Sequence, residues 1–146
     1  MEYLLMTKEH VQQVADLEKQ CFSLPWSLDS ISNEVDNPLS LWVVAVDGGT
    51  VVGYVGSQSV LGEADMMNLA VLHSHRRQGI GRELVMALVR KLEENGVHCL
   101  TLEVRASNLP AVELYGSLGF VQVGKRPNYY TAPKEDALIL RKEWTV

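Results

Sequence analysis

Cysteine is scarce in this sequence. Cys21 and Cys99 are its only two. They lie far apart and show no C-x-x-C or Cys/His spacing, which argues against a disulfide scaffold or a zinc site. Both read as reduced, semi-buried thiols of a cytoplasmic protein. Histidine offers little more. Among His10, His73, His75 and His98, the nearest approach to a ligand pair is His73 with His75. Arg76 and Arg77 follow at once, a poor neighbourhood for a cation, so no metal is expected. Positive charge is in deficit, with 13 Lys and Arg against 18 Asp and Glu and a net charge of −5. That disfavours a general nucleic-acid binder, and no basic run with interleaved aromatics occurs. No apolar run approaches the roughly 20 residues of a membrane span. The start, "MEYLLMTKEH", lacks the basic region and apolar core of a signal peptide. Repeats, low-complexity tracts and Pro/Gly/Ser-rich linkers are also missing. What is present is a 47 % hydrophobic chain of 146 residues. That suits one domain, residues 1–146, able to bury its own core.

Local patterns predict the elements. "YLLM" reads as a strand. Thr7 is placed to cap a helix from Lys8 to about Gln20, with Val11, Val14, Ala15 and Leu17 on its apolar face. "SLPWS" breaks it, Ser27 caps a second helix over "LDSISNEV", and Pro38 closes that one. "LWVVAV", a "DGGT" hairpin turn, "VVGYVGSQSVL" and "GEADMMNLAV" read as three strands. A long helix follows to about Asn95, with Ile80, Leu84, Val85, Leu88, Val89 and Leu92 at helical spacing and Gly96 as its stop. "CLTLEV" is a strand, and "AVELYGSL" is a helix begun by Pro110 and stopped by Gly119. "FVQVGKR" and "DALILRKEW" finish as a strand pair. The order β-α-α-β-β-β-α-β-α-β-β predicts an α/β fold. Its sheet is mixed and mostly antiparallel, with helices on both faces and a parallel pair around the long helix.

The long helix begins oddly. "HSHRRQGIGREL" offers arginines and glycines where a helix start ordinarily has a capping side chain and acidic residues. A basic, bare start suits an anion. The sequence has no G-x-x-x-x-G-K-[ST] loop. Leu84 stands where a dinucleotide fingerprint needs its third glycine. What remains is Arg76-x-x-Gly79-x-Gly81 between a strand and a helix. Glycines there let backbone approach a ligand, and the first helical N–H groups point out of the helix end. Together they form a nest for a diphosphate. A solvated surface loop is the plainer alternative.

Three stretches in order resemble one family. "RRQGIG" resembles the Q/R-x-x-G-x-G/A motif of the GCN5-related N-acetyltransferases, which cradles the pyrophosphate of acetyl-coenzyme A. "NLPAVELYGSLGF" is similar to that family's second signature, and "DMMNLAV" to the strand before its pyrophosphate loop. "LEVRASN", "PNYY", "EDALIL" and "CFSLPWS" look closest to the family's ribosomal-protein alanine acetyltransferases. The resemblance implies the family's fold and acetyl-coenzyme A as co-substrate. It also implies a protein N-terminus as acceptor, that of small-subunit ribosomal protein eighteen, and a cytoplasmic enzyme, expected to be a monomer.

The resemblance assigns Glu103 as general base and Tyr115 as general acid. Leu69, Ala70 and Val71 would pair with the pantetheine arm like an added strand. The N–H groups of Arg77, Gln78, Gly79, Ile80, Gly81 and Arg82 would hold the pyrophosphate, and Asn108 would contact the cofactor or only cap its helix. The residues allow other readings. Glu103 can be a solvent-facing strand residue. Tyr115 lies on one helical stripe with Val112 and Leu118 and can be packing alone. Tyr129 and Tyr130 can line a peptide groove or form a hydrophobic pair in a loop. An α-amine, with a reference pKa of about 7.7–8.0 against about 10.4 for lysine, is roughly 3.5 kcal/mol easier to deprotonate. The alternatives are a lysine or small-molecule amine acetyltransferase, or a non-catalytic acyl-coenzyme A sensor.

Overall fold

The structure is a computed structural model describing residues 1–144. Its elements follow the predicted order: β1 (Glu2–Leu5), α1 (Val11–Cys21), α2 (Leu28–Asp36), β2 (Ser40–Asp47), β3 (Thr50–Val60), β4 (Glu63–Val71), α3 (Ile80–Glu94), β5 (Cys99–Arg105), α4 (Leu109–Ser117), β6 (Val121–Thr131) and β7 (Lys134–Glu143). The seven strands form one sheet in the order β1-β2-β3-β4-β5-β7-β6. Every neighbouring pair is antiparallel except β4 with β5, which α3 joins as a crossover.

The central strands read as unbroken apolar runs because both of their faces are covered. Trp42–Val46 of β2 is buried throughout. On one face α1 and α2 pack Val14, Ala15, Leu17 and Ile31 against Trp42, Val44 and Tyr54. On the other, α3 sets Ile80, Leu84, Leu88 and Leu92 against Val43, Val52, Leu100 and Leu102, and Tyr115 of α4 joins that cluster. The caps predicted at Ser27 and Gly96 are in place, whereas Thr7 makes no side-chain cap hydrogen bond. Ser27 Oγ accepts from the Ser30 amide at 3.1 Å. Gly96 follows α3 with φ 77°, a value glycine adopts without strain.

Two expectations need correction. The first turn of the first helix is a 3₁₀ turn, Lys8–His10, and the α-helix starts at Val11. There the His10 amide bonds the Thr7 carbonyl at 3.0 Å, while the Thr7 amide donates to His10 Nδ1 at 3.0 Å. Of the two readings of Tyr129 and Tyr130, the one that put them in a loop fails: they lie in strand β6, with their rings 5.1 Å apart. Pro127 does not end β6, because β6 is the edge of the sheet and its outer side has no ladder to lose. A register shift between Arg126 and Tyr130, with Asn128 at φ 53°, absorbs the irregularity.

One feature of the sheet positions the site. The parallel pair β4–β5 is paired only at Glu63 with Cys99, Ala64 with Leu100 and Asp65 with Thr101. Beyond those rungs β4 stays bonded to β3 and β5 to β7, but not to each other. The sheet forks.

Candidate active site

A groove of about 1340 Å³ fills the fork. Met66 to Val71 of β4 form one wall and Thr101 to Arg105 of β5 the other. It reaches both helical layers: Cys21 and Phe22 line it from the α1 side, and Ile80 and Tyr115 from the α3 and α4 side. The facing edges of β4 and β5 carry backbone groups without a ladder partner across the fork. An extended ligand can use them as a strand would.

The α3 end of the groove is cationic and built from backbone. Arg77 and Gly79 both adopt left-handed conformations, with φ 63° and 81°. Gly79 is the N-cap of α3 and supplies no side-chain cap. The first intrahelical bond runs from the Glu83 amide to the Gly79 carbonyl at 3.0 Å. The amides of Ile80, Gly81 and Arg82 precede it and are free to donate outward. A Cβ on Gly79 would meet no protein atom within 4 Å, so conformation, not crowding, calls for glycine there. Arg76, Arg77, Arg82 and His75 line the same end. This is a fit for a diphosphate.

The opposite end is built from side chains. Strand alternation sends Leu100, Leu102 and Val104 into the α3 core and Thr101, Glu103 and Arg105 to the other face. Glu103 Oε1 accepts from Arg126 Nε at 3.1 Å, with both side chains partly in solvent. Hydrogen bonding to Glu103, and then that carboxylate's charge, holds the Tyr129 phenol above its ordinary value. Arg105 sits over the Tyr130 ring at 4.3 Å and bonds the Pro133 carbonyl at 2.9 Å and Glu135 at 3.2 Å. Those bonds strap the β6–β7 hairpin to β5.

Tyr115 comes from the other layer. Its ring is 6 % exposed and packs edge-on against Phe120, so the packing reading is realised. Its hydroxyl nevertheless faces the groove, where it donates to Met66 Sδ at 3.7 Å. A thioether is a weak acceptor that a better one displaces. Burial first, and Tyr130 second, push this phenol up to about 12. It therefore stays protonated well above neutral pH. Glu103 and Tyr115 thus enter one groove from opposite faces of the sheet.

Of the other predicted residues, Leu69, Ala70, Val71, Arg77, Gly79, Ile80, Gly81, Arg82 and Asn108 line the groove, and Gln78 does not. The Ile80 side chain is core. Asn108 Oδ1 accepts from the Ala111 amide at 3.3 Å, which makes it a helix cap. Arg82 also ties α3 to α4 through Ser117 Oγ at 2.7 Å. Sequence reasoning missed Glu18, a buried carboxylate that bonds the groove residue Asn68. A Glu on the flank of an apolar helical stripe was the one available hint. Among the described residues no cluster of His, Cys, Asp or Glu could hold a metal, and no helix is long and apolar enough to cross a membrane.

The sequence model of the acetyltransferase (GNAT) family matches residues 11–120. The ribosomal protein bS18-alanine N-acetyltransferase of Escherichia coli K12 is 40 % identical over 127 residues, covering 85 % of this chain and 84 % of that protein. The protein of the same name from Haemophilus influenzae is 34 % identical over 133 residues, covering 88 % and 89 %. The crystal structure of the ribosomal-protein-S18-alanine N-acetyltransferase from Escherichia coli superposes with a TM-score of 0.90 at 33 % identity, covering 99 % of this chain and 94 % of that one.

Proposed function

This chain belongs to the acetyltransferase (GNAT) family, and we propose that it moves the acetyl group of acetyl-coenzyme A to the N-terminal alanine of ribosomal protein bS18. The names of its relatives support the acceptor. The observation that carries the chemistry is the fork, which a carboxylate enters from one face and a protonated phenol from the other. The chain works as a single domain over residues 1–146 and as a monomer in the cytoplasm.

The thioester supplies an activated acyl carbon, so no covalent enzyme intermediate is needed. The α3 amides and neighbouring arginines hold the diphosphate. The edge of β4 at Leu69–Val71 aligns the arm that carries the thioester. Glu103 takes a proton from the acceptor ammonium, directly or through water, so that a neutral amine attacks. Tyr115 donates its proton to the departing thiolate, leaving the Met66 sulfur for a stronger acceptor. At its elevated value the phenol is a weak acid for a thiolate, but it is fully protonated at neutral pH. Tyr129 and Tyr130 line the acceptor side.

The test is product mapping. The protein is incubated with acetyl-coenzyme A and peptides that begin with Ala and contain lysine. Mass spectrometry should place one acetyl group on the α-amine, with one free thiol released per acetyl. Acetylation confined to lysine would overturn the acceptor assignment. Coenzyme A binding with no acetylated product from any amine would favour a sensor.

A further inference from the structure

Beneath the acceptor side of the groove lies a carboxylate that this chemistry does not use. Glu18 of α1 is 0 % exposed, and among the described residues no cation pairs with it. Its Oε1 accepts from Asn68 Nδ2 at 2.8 Å and from the Trp26 amide at 3.2 Å, and its Oε2 accepts from the Tyr54 hydroxyl. The donors come from three segments. Trp26 belongs to the α1–α2 connection, whose start carries Phe22 into the groove. Tyr54 belongs to β3. Asn68 belongs to an irregular step of β4. There Val55 faces Leu69 and Ser57 faces Met66, so Met67 and Asn68 stand against Gly56 alone. That is a β-bulge, two residues against one, just inside the fork.

The surroundings leave the bulge little freedom from below. Gly56 abuts the Trp42 ring, which stacks on Tyr54 and meets Trp26 edge-on. On the fork side the bulge has no strand against it. The Glu18–Asn68 bond is the tether between the bulge and the rigid layer.

We propose that Glu18 is a positioning residue for acetyl transfer. Through Asn68 it fixes the bulge of β4, and through the Trp26 amide it holds the α1–α2 connection on the same side. One buried carboxylate so sets the relation between two walls of the groove. The proposal rests on the reading of the fork as the reaction site. A carboxylate suits the task because it only accepts, and three donors converge on it. Glutamine of equal size must aim its amide donor somewhere. It can face Tyr54, whose hydroxyl can turn and accept, but the bonds to Asn68 and Trp26 lose their charge-assisted strength.

The experiment compares Glu18→Gln, Asn68→Ala, the double variant and Tyr54→Phe, using acetyl-coenzyme A with an Ala-starting peptide. Asn68→Ala should lower kcat roughly 10- to 100-fold, the cost of a small misplacement at a reacting centre. Glu18→Gln, which lies outside the groove and keeps an acceptor for Asn68, should lower kcat in the same direction but less. Coenzyme A affinity by calorimetry should stay within about twofold in both, and the double variant should match Asn68→Ala within about twofold, because the two residues act on one path. Tyr54→Phe removes a bond to the same carboxylate away from the groove; it should lower the melting temperature and leave kcat within about twofold. Hydrogen–deuterium exchange over residues 66–69 should speed up in Glu18→Gln, with no acceptor needed. Unchanged exchange there, or a kcat in Glu18→Gln equal to wild type, would overturn the proposal. Wild-type protein that acetylates no N-terminal amine would instead overturn the acceptor reading, and the exchange result would still decide the role of Glu18.

Discussion

On the proposed reading, the α3 end of the groove holds its ligand mainly through backbone amides, set by two left-handed residues and a helix start, with arginines beside them. At the β6–β7 end the groove is lined by side chains instead: Glu103, Arg126, Tyr129 and Tyr130. The first kind of site tolerates changes of side chain and fails when the backbone changes. The second fails residue by residue. One fold can therefore keep a fixed co-substrate while its acceptor side is altered by single substitutions, because the two ends share no side chain.

Four measurements sharpen or break this contrast. The largest effect is expected at the side chains proposed to move protons. Tyr115→Phe should reduce kcat by about 100-fold or more, within the range for a lost general acid, with coenzyme A affinity nearly unchanged. Equal losses in turnover and affinity would make Tyr115 a packing residue. Glu103→Gln should cost roughly 10- to 100-fold in kcat at neutral pH, with part of the loss recovered at higher pH where more acceptor amine is neutral. At the backbone end, Gly79→Ala forces a Cβ into a left-handed position, which costs about 1–2 kcal/mol. Calorimetry should show coenzyme A affinity about tenfold weaker, with the kcat of the saturated enzyme preserved. Arg77→Ala, at an exposed guanidinium, should weaken coenzyme A only a few-fold, and less at high salt. A larger loss from Arg77→Ala than from Gly79→Ala would reverse the contrast.

The pH dependence of stability carries a further check. The Tyr115 phenol is raised from 10.0 to about 12 in the folded protein. Between those values the folded chain keeps a proton that the unfolded chain has lost. Unfolding free energy should therefore fall as pH rises through that window. Urea unfolding of wild type and Tyr115→Phe should show the steeper alkaline decline in wild type.

Much of this was legible in the sequence for local reasons. Ser27, Gly96, Pro110 and Gly119 mark helix ends through their own backbone and side-chain chemistry. The Gly79-x-Gly81 start is unusual enough to be read alone. The parallel pairing of β4 and β5 followed from the helix between them, but its end after three rungs did not. That end lies beside the β4 bulge at Met67 and Asn68, which shows only in the pairing of β4 with β3. Glu18 was hidden for a similar reason. Its partners Tyr54 and Asn68 are 36 and 50 residues away, and no periodicity links them. Of the two readings of Tyr129 and Tyr130, the loop was left open because an edge strand that tolerates Pro127 is a property of the whole sheet, not of the local sequence.

The fork has a consequence for anyone designing a blocker. If the two reactants meet from opposite faces of the sheet, a molecule that mimics both cannot lie on the surface like a plaster. It must be threaded through the gap, one half on each side, joined by a linker as narrow as an extended chain. Its length is set by the thickness of the sheet, and bulk at the crossing point should be tolerated least of all.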